Sequence, residues 1–130
     1  MNITTIAYWV STVLVSLLYL ASVSFYLSDI AGTEAAIVGF GFPAYIVWVL
    51  IVVKPLGVLA ILLRKPVWLA ELAYAGMFFH LLLAASAHIN AGDGGYPPAL
   101  IGLALLLVSF FTQNAARAVP SAVVAEIRGA

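Results

Sequence analysis

Apolar residues run in four long stretches, Ile6 to Leu27, Phe42 to Leu63, Val67 to Ile89 and Pro97 to Thr112, separated by short polar or glycine-rich segments. A helix crossing the hydrocarbon core needs about 20 residues at about 1.5 Å each. The first three stretches meet that length, and the fourth, about 16 residues, crosses only if nearly upright. The pattern predicts an all-α integral membrane protein, a bundle of four transmembrane helices over residues 1–112 with a tail over 113–130. The first stretch has no basic segment before it and exceeds the about 7–15 residues of a signal-peptide core, so it is expected to stay as helix one.

Composition supports this class. Hydrophobic residues make up 65% of the chain and charged residues 8%, where soluble domains carry about 25% charged. Lipid is therefore the first partner. A net charge of zero and the absence of cysteine offer no basis for nucleic-acid binding, a polybasic lipid clamp, disulfides or thiolate chemistry.

Basic residues set the predicted orientation. Arg64 and Lys65 lie in the turn between helices two and three, where Pro66 stops a continuous helix, and Arg117 and Arg128 follow helix four. By the positive-inside rule these segments and both termini are expected in the cytoplasm, opposite the loops that carry Asp29, Glu34 and Asp93. Tyr8, Trp9 and Trp68 then fall in one interfacial belt and Tyr26, Tyr45 and Tyr96 in the other. Thr33 and Glu34 are expected to start a short interfacial helix reaching Gly39 or Gly41, Pro43 to open helix two, and Pro97-Pro98 to open helix four after the turn Asn90 to Gly95. That turn lacks the strand and lysine of a phosphate-binding loop. In the tail, residues 120–128 read equally as an interfacial helix, with Val123, Val124 and Ile127 on one side, or as a disordered segment.

The chemistry available lies in a few polar residues inside the apolar stretches. Lys54, ten residues before Arg64, sits about 15 Å from the surface; Glu71 lies about 7 Å deep and His80 about 20 Å deep on helix three. A lysine at that depth costs about 2.5–3.5 kcal/mol to insert and demands a partner, a cavity or a job. An ion pair with Glu71 is the simplest partner, serving either helix register or acid–base work. The nine residues from Glu71 to His80 correspond to about half a turn of offset, so both cannot face Lys54 in an ideal helix. His80 shares its face with Ala73, Gly76 and Ala84, a small-residue stripe expected in the bundle interior. Glu71 then faces Lys54 through a bend near Gly76, or a second subunit, or the headgroups. His80 itself reads as a hydrogen-bonded core histidine or as a working base. His88 lies eight residues beyond it, which fails the i, i+4 spacing of a shared metal or haem site, so no metal is expected. The small residues Ser11, Ser16, Ala60, Ala73, Gly76 and Ala84 suit direct contact more than a pore and allow a homo-oligomer.

The run Tyr26 to Thr33, then Gly41 to Tyr45, then Lys54-Pro55-Leu56-Gly57, and in the second half Glu71 to Gly76, Ala87-His88 and Gly92-Asp93, resembles the DoxX-like family of small four-helix bacterial membrane proteins. The resemblance implies residence in the bacterial inner membrane. It also implies a role as a membrane redox-associated or scaffold subunit near the quinone pool, since the family's namesake is similar to a small subunit of a thiosulfate:quinone oxidoreductase. Lys54, Glu71, Tyr74, His88 and Asp93 fall on the family pattern. His80 departs from it, standing where an Asp or Asn is expected. Tyr74, His88 and Asp93 thereby join Lys54, Glu71 and His80 as candidate site residues. No cofactor is required by the sequence, and a quinone is compatible with it. The alternative is a small membrane enzyme or carrier that holds an apolar molecule in a cavity lined by Lys54, Glu71 and His80.

Overall fold

The computed structural model describes residues 1–129, all helix and turn. Helix α1 spans Ile3–Ser28, α2 Ile30–Gly39, α3 Ile46–Leu63, α4 Val67–Ala91, α5 Pro97–Ala116 and α6 Ala122–Gly129. Four of these, α1, α3, α4 and α5, are long and apolar enough to cross a membrane. They correspond to the four stretches read from the sequence. The fourth reaches Ala116, and its 20 residues span about 30 Å, so it need not stand upright. Helix α3 starts at Ile46, because residues 43–45 form a separate turn in which Pro43 O and Ala44 O accept from Ile46 N and Val47 N.

Caps and turns explain the boundaries. Asn2 Oδ1 accepts from Thr5 N at the start of α1, and Asp29 Oδ1 accepts from Gly32 N to start α2, both side-chain caps for unpaired amides. Arg64 ends α3 in the left-handed region at φ 51°. Gly92 ends α4 at φ 66°, a conformation that costs glycine little. Pro97 and Pro98 open α5, where a missing amide hydrogen is no loss.

The four long helices close a ring in which α1 packs most extensively on α5, α5 on α4, α4 on α3 and α3 back on α1. The interior holds Val15, Tyr19, Val58, Ile61, Tyr74, Met77, Leu81 and Leu106. Helix α4 presents Tyr74, Met77, Leu81 and Ala85 inward. The small-residue stripe expected in the interior divides: Ala73 packs against the core and Ala84 lines a cavity beside His80, whereas Gly76 is exposed with open space beside it. Large side chains fill most of the centre of the four helices. The belt reading also changes at Tyr8, which is fully buried, whereas Trp68, Tyr45 and Tyr96 are exposed as belt residues are.

Both termini and the α3–α4 turn meet at one end. Thr5 Oγ1 donates to Ala115 O, Arg64 Nη1 to Val119 O at 2.9 Å, and Arg117 Nη2 to Leu62 O at 2.7 Å. The tail folds back as α6 with Val124 fully buried, held by Arg128 Nη2 donating to Phe111 O at 2.6 Å. Val123 and Ile127 remain exposed.

Candidate functional site

Lys54 is only 5% exposed, and its partners are hydroxyls. Its Nζ donates to Ser22 Oγ at 2.7 Å and to Tyr26 OH at 3.0 Å. It also lies 4.3 Å from the Tyr26 ring centroid and 5.7 Å from that of Tyr19, within cation–π range. Tyr19, Ser22 and Tyr26 recur at i, i+3 and i+7, so one face of α1 meets the lysine. Tyr19 OH reaches His80 Nδ1 at 2.8 Å and Met77 O at 3.3 Å. Helix α3 packs on α1, and Tyr19 reaches across the bundle to α4, so Lys54 and His80 are brought to one site by the tyrosine between them.

These groups line a cavity of about 470 Å³ with Leu18, Phe25, Leu81 and Pro98 as apolar wall. A smaller cavity of about 170 Å³ shares Tyr26, His80 and His88 and extends toward Phe40 and Phe42. The larger falls in the range of about 300–1,000 Å³ typical of small-molecule sites.

The cavity is bounded at the loop end by His88 and Gly95, and both are tied to Asp93. His88 Nδ1 lies 2.9 and 2.8 Å from the two Asp93 oxygens, and Gly95 N donates to Asp93 Oδ1 at 2.8 Å. The Gly95 amide first, and the His88 side chain second, hold the Asp93 carboxyl below its ordinary range. Phe40 of α2 packs edge-on against His88 at 4.9 Å. Among the described residues no group of three or more His, Cys, Asp or Glu gathers as a metal set would.

Glu71 stands apart from all of this. It does not pair with Lys54, and it lines a different groove, between α4 and α5. The cause is direction: the Lys54 stem runs toward Tyr26 at the far end of α1, while Glu71 lies about five residues from the opposite end of α4. The sequence-derived cavity of Lys54, Glu71 and His80 is thus corrected to Lys54, His80 and His88 with Tyr19, Ser22 and Tyr26. Tyr74 is also elsewhere, in a chain of three buried hydroxyls. Thr12 Oγ1 and Ser109 Oγ are 2.6 Å apart, and Tyr74 OH and Ser109 Oγ 2.7 Å.

The residues missed from sequence belong to one row on α1. Tyr8, Thr12, Ser16, Tyr19, Ser22 and Tyr26 recur every three or four positions, the helical period, and form a polar seam through an apolar helix. That spacing was legible as a face.

No curated protein and no solved structure matches the chain. A family model matches residues 10–112, taking in most of each of the four long helices and both loops beside the cavity. The chain belongs to the DoxX-like family.

Proposed function

We propose that this protein is a membrane subunit that binds an apolar molecule with an oxygen-bearing ring, of the quinone class, in the cavity beside Lys54. The observation that carries the reading is the concentration of polar groups at one spot of an otherwise apolar wall: the Lys54 ammonium, the Tyr26 hydroxyl, and His80 held by the Tyr19 hydroxyl. An ammonium has three hydrogens to give, and two go to Ser22 and Tyr26, which leaves one for a ligand oxygen. The aromatic and aliphatic wall suits a planar ring and its tail. A bound quinone would supply two-electron redox chemistry; this chain would hold its oxygens and exclude water. With the arginine-bearing end in the cytoplasm, the cavity lies in the outer half of the bilayer.

A scaffold role is favoured by a different observation. Lys54 ties α3 to α1 through two hydrogen bonds made within the protein, which is what a register clamp needs.

Lipid-extract mass spectrometry of protein purified from native membrane separates the two. The binding reading expects a quinone-class molecule at near one per chain, enriched over the bulk lipid. An extract with only bulk lipid, and no saturable uptake of added quinone, leaves the clamp.

A further inference from the structure

His88 lines both cavities near Lys54, of about 470 and 170 Å³, and three neighbours fix its ring. Its Nδ1 faces the two Asp93 oxygens at 2.9 and 2.8 Å, and the Phe40 ring meets it edge-on at 4.9 Å. Gly95 is the third: a Cβ there would stand 2.6 Å from His88 Nδ1 and 3.1 Å from Asp93 Oδ1, so glycine is what lets the loop close on the imidazole.

That closure decides which ring nitrogen carries the hydrogen. An ionised carboxylate only accepts hydrogen bonds, and a neutral imidazole has one donor and one acceptor nitrogen. Asp93 therefore holds the hydrogen on Nδ1 and leaves Nε2, which points away from Asp93, as an acceptor. Lys54 offers the opposite, one ammonium hydrogen beyond those given to Ser22 and Tyr26. Tyr26, which bonds to Lys54, lines the smaller cavity together with His88. A ligand reaching from Lys54 to His88 needs an acceptor oxygen at one end and a hydroxyl at the other. A quinone has two carbonyl oxygens, and its second would face the Nε2 lone pair; a hydroquinone brings the hydroxyl. We propose that His88, positioned by Asp93, is a second polar contact of the cavity that accepts a hydrogen bond from a ring hydroxyl, so that the site selects the reduced, hydroquinone form of a quinone-class molecule. The proposal rests on the reading of this cavity as a quinone-class site.

The test uses the full chain in lipid nanodiscs at pH 8 under nitrogen, with empty discs as blank. Two ring probes share an ether oxygen for Lys54: 4-decyloxyphenol carries the hydroxyl, and 1-decyloxy-4-methoxybenzene has a methyl ether in its place. The bound amount is measured by equilibrium dialysis. The expected result is saturable binding of the phenol near one per chain, at least fivefold tighter than the ether, which is about 1 kcal/mol and the size of one hydrogen bond in a membrane. His88→Phe keeps an aromatic ring without Nε2 and should bring the ratio below twofold. Asp93→Asn should at least halve it, because an amide can donate to Nδ1 and turn Nε2 into a donor. Lys54→Met should weaken both probes alike and leave the ratio in place.

Equal binding of phenol and ether by the wild type overturns the His88 contact; if Lys54→Met then weakens both, the quinone-class reading of the cavity stands. Saturable binding of neither probe overturns both. A fivefold ratio that persists in folded His88→Phe protein assigns the preference to the bulk of the methyl group and overturns the His88 contact as well. If His88→Phe does not fold, the same ratio persisting in Asp93→Asn, whose change lies in the exposed loop, overturns it.

Discussion

Replacing Lys54 with methionine tests whether the lysine serves binding or register. Methionine keeps much of the stem's volume and removes the charge. The ammonium costs about 2.5–3.5 kcal/mol at this depth. Its two hydrogen bonds return about 0.6–1.7 kcal/mol each on membrane measurements, and the Tyr26 ring about 0.5–2 kcal/mol. The two sides nearly cancel. After substitution Ser22 can bond back to the carbonyl of Leu18 one turn earlier, and Tyr26 is only half-buried. Lys54→Met is therefore expected to change unfolding stability in detergent by less than about 1 kcal/mol, while quinone-class molecule retained through purification falls at least tenfold. Thermal unfolding and mass spectrometry of the same preparation read both. A folded variant that keeps its ligand refutes the binding role. A loss above about 3 kcal/mol, the range for breaking a buried charged network, with ligand binding retained by the remaining folded fraction, would show a clamp.

Three further outcomes follow from the same geometry. Ser109→Ala leaves Thr12 and Tyr74 without their shared partner and should lower stability by about 1–2 kcal/mol, measured by unfolding in detergent; a change near zero would mean the hydroxyl chain contributes nothing. Asp93 is held below its ordinary range, so its bonds to Gly95 and His88 stabilise the loop above the ordinary carboxylate range and are lost as pH falls through the lowered value. Hydrogen-exchange protection at residues 92–96, taken relative to the intrinsic rate at each pH, should fall in acid, and Asp93→Asn should remove that acid step. The chain has no cysteine, so single cysteines report topology cleanly: an impermeant maleimide on intact cells should label Ala31→Cys and spare Ala125→Cys, and the reverse would invert the orientation.

The class, the four spans and the placing of Lys54 within one of them were legible because each depends on local composition. Hydropathy over about 20 residues identifies a span regardless of its neighbours, and a charge within such a run stands out alone. Partners were less legible, because they depend on how each helix is rotated in the ring. Lys54 suggested the only nearby opposite charge by depth, Glu71, yet its partners are the hydroxyls of Ser22 and Tyr26 on α1. Tyr8 and Tyr26 fall at depths where belt tyrosines also fall, and depth alone does not separate an aromatic facing lipid from one facing a neighbour. The seam on α1 carried the missing signal, since six polar residues at helical spacing in an apolar span imply a polar interior. The length of α5 was underestimated for a related reason: Gln113 and Asn114 end the apolar run, but Gln113 is fully buried and Asn114 bonds to Ser121, so the helix continues past the change in composition.

The half turn between Glu71 and His80 separates the two candidate sites. With Met77 and Leu81 turned into the core, α4 carries His80 to the side shared with α1 and Lys54, and Glu71 to the side shared with α5. Rotating α4 to bring Glu71 toward α3 would withdraw His80 from Tyr19 and expose the core row, so register opposes pairing the bundle's one deep lysine with the one carboxylate of its long helices. Each charge instead borders its own cavity, the positive one among hydroxyls and an imidazole, the negative one among phenyl rings. An ion pair made only for stability would have brought the two together and closed both spaces. Their separation leaves a spare donor in the half of the bundle near α2 and an unpartnered carboxylate oxygen in the half near the termini.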